Sequence, residues 1–134
     1  THTYTWYDTN PAVNGGTAGT IGTNTTCNST LVNCNTTAYR DAVNALTGAA
    51  RLCGASDWRL PTIAEFTGLM HAGVAAGPAI DAAFFPNTAS PAYWMGQNYA
   101  ASTSNAWIID LDRTFIQTRF KNSVQHVRLV RGGQ

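Results

Sequence analysis

The feature that most constrains this chain is the run Cys53-Gly-Ala-Ser-Asp-Trp-Arg-Leu-Pro-Thr-Ile-Ala-Glu-Phe66. Thr62 followed three residues later by Glu65 is a capping box: the threonine hydroxyl accepts from an orphan amide of the first turn, and the carboxylate accepts from the cap's own N–H. A helix therefore starts at about Ile63. Pro61 keeps Leu60 away from helical angles, so residues 57–60 arrive extended, with Trp58 and Leu60 on one face and Asp57 and Arg59 on the other. The run reads as a rigid junction between a loop and a helix, with Trp58 as its buried anchor and Glu65 committed to the cap.

Upstream, residues 4–7 alternate and carry aromatics, which predicts a first strand. Residues 8–26 run through Asn-Pro, Gly-Gly and repeated Gly-Thr and read as loop. The glycines at 16, 19 and 22 do not match a dinucleotide fingerprint. Sequons at Asn24, Asn28 and Asn35 mark a polar surface segment. From Thr37 the spacing of Tyr39, Val43 and Leu46 predicts a helix capped by Thr36 or Thr37 and ending somewhere in 48–54. The second helix buries Ile63, Phe66, Leu69 and Met70 and stops near Gly73, with His71 in its last turn. A short apolar turn over 79–88 follows.

From there to the end the pattern is strands, over 92–95, 106–112, 114–120 and 126–131. Parity places Trp107, Ile109 and Leu111 on one face of the second of these, and Ile108, Asp110 and Asp112 on the other. In the third, Ile116, Thr118 and Phe120 oppose Phe115, Gln117 and Arg119, and Asp112-Arg113 is read as the tight hairpin between the two strands. Strands after helices, closing on an early strand, define an α+β domain.

The length of 134 residues is that of one domain spanning 1–134. Charged residues make up only 11% against 44% hydrophobic, with Thr, Ser, Asn and Gly filling the difference, a composition that fits an exported β-rich domain. The net charge of +1 argues against nucleic-acid binding. No apolar run is long enough for membrane insertion, and the start at Thr1, without a signal-like apolar run, reads as a processed or excised piece. Of three cysteines, Cys27 and Cys34 flank a short polar loop and are expected to pair, leaving Cys53, after the apolar Leu52, as a buried thiol.

No nucleophile or base sits in a recognisable constellation. His2, His71 and His126 are scattered, and Ser56 and Ser90 lack a nucleophile elbow, so no enzyme and no cofactor is expected. Asp110 and Asp112 fall well short of a calcium shell, and no metal is expected. Arg113, Arg119, Lys121, Arg128 and Arg131 all follow the last acid, Asp112.

Taken together, the 53–62 run, Ile80-Asp81, Phe85-Pro86-Asn87-Thr88, Tyr93-Trp94, Ala106-Trp107 and the ending Val127-Arg-Leu-Val-Arg-Gly-Gly-Gln134 resemble the Lcl C-terminal-like domain family, named after a collagen-like adhesin. The resemblance runs from Trp6-Tyr7 to Gln134, and within that family the chain is most similar to the variable proteins of diversity-generating retroelements. It implies a C-type-lectin-like fold with two helices packed beside antiparallel strands and the N- and C-terminal strands paired. It also implies framework positions at Trp94, Trp107, Ile109, Leu111, Ile116 and 127–133. The ligand-binding positions it implies between them are Met95, Gln97, Asn98 and Tyr99, then Ile108, Asp110, Asp112 and Arg113, then Phe115, Gln117, Arg119 and Asn122. Family members commonly carry a serine-rich run after Tyr-Trp, where this chain has Met95-Gly96-Gln97. The lectin calcium signature Glu-Pro-Asn is replaced by Phe85-Pro86-Asn87, whose first residue has no ligand oxygen.

The expected function is therefore binding: a surface-displayed adhesin or receptor-recognition domain, on a bacterial cell or a phage particle, with a diversified site on its late strands. The expected partner is a protein or glycan on another surface, and a homo-oligomer is open. Two alternatives stand beside it: an adhesin with a fixed basic site for an anionic glycan, and a structural tip domain of a surface assembly.

Overall fold

Two tryptophans near opposite ends of the sequence lock the architecture together. Trp6 Nε1 donates to the Met95 carbonyl at 2.9 Å, and Trp94 Nε1 donates to the Tyr4 carbonyl at 2.7 Å. Both indoles are fully buried. The computed structural model describes residues 2–70, 80–81, 83, 85, 92–113 and 115–132. Within them the fold is a small α+β arrangement of three antiparallel strands and a few short helices. The helices are α1 (Pro11–Asn14), α2 (Thr36–Asn44) and α3 (Ile63–Leu69); the strands are β1 (Ala92–Asn98), β2 (Asn105–Asp110) and β3 (Phe115–Phe120), in the order β1-β2-β3.

The sheet is buried on both faces of β1 and β2. On one face Tyr93, Met95, Ile109 and Leu111 pack with Phe66 of α3 and Ile80; on the other Ala92, Trp94, Ala106 and Ile108 pack with Trp6. Strand parity separates the two sets correctly, but one set does not face solvent, because the N-terminal segment lies across it. Ile108 is a core residue for this reason, and Met95 is one because it packs on the Phe66 face; neither reaches the surface where a ligand position was expected. A third cluster gathers Tyr4, Cys27 and Cys34, with Leu31 and Tyr39 against it.

The junction at 57–66 folds as its sequence demands. Thr62 Oγ1 accepts from Glu65 N at 3.3 Å and Glu65 Oε2 accepts from Thr62 N at 2.9 Å, completing the capping box. Glu65 has a second role: Arg59 grips its carboxylate through both terminal nitrogens, at 2.8 and 2.6 Å, and Arg59 Nη2 also donates to the Gly132 carbonyl. The Arg59 and Val130 main chains exchange two hydrogen bonds. The corner that aims α3 thus also holds the end of the chain. Trp58 is only half-buried, its Nε1 donating to the Leu52 carbonyl at 3.3 Å. The anchoring falls instead to its main chain, which Asn44 pins through a reciprocal pair of 2.8 Å bonds.

Other expectations shift by recognisable causes. The 4–7 strand is a set of single bridges, Tyr4 to Gln125, Thr5 to Asn35 and Tyr7 to Gly19, so the expected pairing of terminal strands is reduced to one antiparallel bridge. The 126–131 strand is likewise two bridges, His126 to Tyr93 and Val130 to Arg59. α2 is capped by Asn35, whose side chain accepts from Ala38 N, and ends at Asn44. The remainder up to Gly54 is two 3₁₀ turns. Leu46 is consequently exposed and packs no helix face. The β2–β3 connection is a four-residue loop, since Asp110 pairs with Phe115. The second helix ends at Leu69, short of the expected Gly73, because Met70 is extended and forms an antiparallel bridge with Ile80; His71 and most of the 79–88 turn lie outside the described residues.

The Cys27–Cys34 disulfide is formed and buried, with Cα atoms 5.6 Å apart. Cys53 is exposed, contrary to the expected buried thiol: it occupies a left-handed conformation (φ 50°) within the second 3₁₀ turn, which turns its side chain outward from the core. The native chain should accordingly take up one equivalent of iodoacetamide without denaturant, at Cys53 alone. Mass analysis after digestion reads it, and labelling at Cys27 or Cys34 would contradict the bridge.

A second expectation comes from Glu65. The hydrogen bond from Arg59 and that from the Thr62 main chain hold its carboxyl down at about 2, against an ordinary 4.5. A carboxyl whose folded pKa lies below its unfolded one stabilises fully above the unfolded value, and that contribution drains away as pH falls toward the folded value. Stability should therefore decline between about pH 4.5 and 2. Glu65→Gln should flatten that part of the pH profile measured by urea unfolding.

Candidate functional site

The surface left uncovered by both packing layers is on β3 and the loop before it. The register sets Phe115 beside Asp110, Gln117 beside Ile108 and Arg119 beside Ala106. These three β3 side chains share the parity of the buried Trp6-side set, yet the N-terminal segment covers β1 and β2 and stops short of β3. Phe115 is 39% exposed and Arg119 lies in solvent. Arg119 Nη1 donates to Gln117 Oε1 at 2.9 Å, while Gln117 Nε2 is enclosed without a hydrogen-bond partner. The result is an aromatic ring and a guanidinium flanking an amide, a combination suited to recognition by stacking and hydrogen bonding.

Asp110 serves this surface from beneath. It is buried, and its Oδ1 accepts from Asp112 N and Arg113 N, both at 3.1 Å, which fixes the loop that carries Asp112 and Arg113 into solvent. Asp110 thus holds the loop from within the core and does not itself reach the surface. Tyr99 stacks edge-to-face on Trp107 with centroids 5.1 Å apart. Asn98 Nδ2 donates to the Tyr99 carbonyl, and the amide presses against Gly15, where a Cβ would sit 2.1 Å from that nitrogen.

Gln97 belongs to a different feature. Its Oε1 accepts from Ile63 N at 3.0 Å, and it lines a surface cleft of about 940 Å³ between α1, α2 and the start of α3. The walls carry two ion pairs, Asp8 with Arg40 at 3.5 Å and Arg59 with Glu65 at 2.6 Å. The sequence reading missed this cleft. Arg59 and Glu65 were visible in the junction run, but nothing local tied Asp8 and Arg40 to them. With Glu65 held ionised by Arg59, its carboxylate is a structural acceptor poorly suited to donating a proton. Among the described residues there is no group of three His, Cys, Asp or Glu side chains that could hold a metal.

Lys121 departs most from expectation. It counts among the basic residues of the late strands by sequence, yet it is 2% exposed. Its Nζ donates to the carbonyls of Asn14 at 2.8 Å and Thr17 at 2.6 Å and lies 4.4 Å above the Trp6 ring. Burial pushes its pKa down from the ordinary lysine value. It fastens the 8–20 loop to the core and is withdrawn from any anionic ligand. Asn122, next to it, is exposed at the rim of a hollow of about 340 Å³.

A small disulfide-stapled α+β domain with a two-faced core and one uncovered strand is the class these features define. The family model of the Lcl C-terminal domain matches residues 2–131, and the chain belongs to that family. No curated protein and no solved structure matches it.

Two substitutions separate the structural cation from the surface one. Lys121→Ala removes the cation that donates to the Asn14 and Thr17 carbonyls and uncovers Trp6, and should cost about 2 to 4 kcal/mol. Arg119→Ala should stay within about 0.5 kcal/mol of the parent. Urea unfolding of both variants checks the contrast.

Proposed function

We propose that this domain is an exported ligand-binding module that recognises its partner through β3 and the preceding loop, by binding without chemistry. The observation that carries the reading is the Phe115–Gln117–Arg119 row, exposed at Phe115 and Arg119, on a strand whose neighbours are rigidly packed. Aromatic and guanidinium anchors on a fixed scaffold are the usual makings of a binding hot spot. Asp112 and Arg113 extend the row at one end, whereas Tyr99 lies against Trp107 on the opposite face of the sheet. Membership of the Lcl C-terminal domain family agrees with a surface or ligand-binding role, and the buried disulfide fits an oxidising compartment.

The finer reading is that the fold is C-type-lectin-like and that these positions are diversified, as in variable proteins of diversity-generating retroelements. Support comes from the separation of roles along the late strands: Met95, Ile108 and Asp110 are buried in the framework, whereas the side chains of Arg113, Phe115 and Arg119 are exposed. A near-repeat of the last third of the gene beside a reverse transcriptase would establish the diversification. The rival anionic-glycan reading is weakened by Lys121, which leaves Arg113 and Arg119 as the exposed cations of the loop and β3.

The test is a screen of the parent domain against arrayed glycans and displayed cell-surface proteins, repeated with Phe115→Ala/Arg119→Ala. Binding should fall by about 2 kcal/mol or more per anchor while the melting temperature stays nearly unchanged. A contact anchored by Phe115 should persist at high salt, where one held by charge alone collapses. Unchanged affinity in the double variant would refute the site.

A further inference from the structure

The two edges of the sheet are not equivalent. Beyond β1, Trp94 N donates to the His126 carbonyl at 2.9 Å, His126 N donates to the Ala92 carbonyl at 3.0 Å, and Gly96 N donates to the Pro61 carbonyl at 2.9 Å. Among the described residues nothing pairs with the outer side of β3. Which of its main-chain groups point outward follows from the ladder. Asn105 turns its N–H and C=O toward the β1–β2 hairpin, bonding Ser102 and Tyr99 at 3.0 Å each. By alternation Ala106, Ile108 and Asp110 turn theirs toward β3, where Arg119, Gln117 and Phe115 answer them. Ile116 and Thr118 therefore direct both their N–H and C=O groups away from the sheet, where the Thr118 carbonyl meets its neighbour Arg119 Nη1 only at 3.5 Å. The Phe120 carbonyl is already taken, by Ser123 N at 2.9 Å and Ser123 Oγ at 2.7 Å.

We infer that this edge pairs with β3 of a second copy, antiparallel about a two-fold axis through Gln117. That register sets Ile116 opposite Thr118 of the other copy, and the reverse, so all four outward groups of each copy are satisfied. A two-fold contact is isologous and closes as a dimer. The charges agree with the register. Centring on Arg119 would bring two guanidiniums face to face, and centring on Thr118 would use the occupied Phe120 carbonyl. Centring on Gln117 sets Phe115 of each copy against Arg119 of the other, in the close, non-hydrogen-bonded type of pair, where the cation lies by an aromatic ring. The two Arg119 residues are then four residues apart along the ladder, about 13 Å, beyond the screening length of roughly 10 Å. The strand also lacks the usual edge protection: it has no proline, lysine or bulge. The combined six-stranded sheet would carry both Phe115–Gln117–Arg119 rows on one face.

Sedimentation velocity of the chain from micromolar to millimolar concentration should show a monomer–dimer equilibrium. Thr118→Pro removes an outward N–H that makes no bond within the monomer, so the fold survives while association weakens by about a hundredfold or more. Should circular dichroism show Thr118→Pro misfolded, Phe115→Arg does the same work by opposing Arg119 of the other copy with a like charge. In a Cys53→Ser background, Gln117→Cys should cross-link to itself on mild oxidation, since residues so paired fall within disulfide range. A monomer at every concentration, a trimer, or a dimer untouched by both folded variants would overturn the inference. None of these measurements involves a ligand, so their failure would leave the proposed binding function standing.

Discussion

The reciprocal indole bonds between Trp6 and Trp94 are the constraint on which the remaining structure depends. Each indole is buried and must find an acceptor, and each finds it on the main chain of the segment that the other occupies. The early segment is thereby laid across β1 although it contributes only isolated bridges to the sheet. Once it is there, one face of β1 and β2 is closed, the 8–20 loop can reach Lys121, and Cys27 and Cys34 are drawn in beneath Tyr4. Fold and site share this origin, because β3 is open only where the early segment ends.

Local signals in the sequence were legible to the degree that they were self-contained. The capping box at Thr62 and Glu65 folds as read, since its partners are three residues apart. The pairing of Cys27 with Cys34 was readable from the loop between them, and the parity of β2 and β3 from simple alternation. Parity says which residues share a face, however, and not what covers it. Ile108 was assigned outward because nothing in 92–120 reveals that Trp6, far earlier in the chain, closes that side; Met95 was placed by family resemblance and packs on the other face, with Phe66.

Lys121 and Cys53 illustrate the other limit. A lysine in the run Arg-Phe-Lys-Asn-Ser reads as solvated, and only the convergence of the Asn14 and Thr17 carbonyls with the Trp6 ring makes burial tolerable for it. Cys53 follows an apolar residue and reads as buried, but its left-handed backbone overrides that neighbourhood. In the candidate site, Phe115, Gln117 and Arg119 were legible by parity, while the supporting role of Asp110 required the geometry of the loop.

The burial of Lys121 also sets a rule for inheritance. The codons for 115–122 specify surface residues such as Phe115 and Arg119 together with Ile116, which packs on the core, and Lys121, which ties two distant segments together. Random replacement across this stretch is thus not neutral: alleles that change 115 or 119 keep a folded product, whereas those that change 121 forfeit it. A lineage that explores new partners with these strands can do so cheaply only if its variation is aimed, leaving Ile116 and Lys121 in place while the surface positions between them vary.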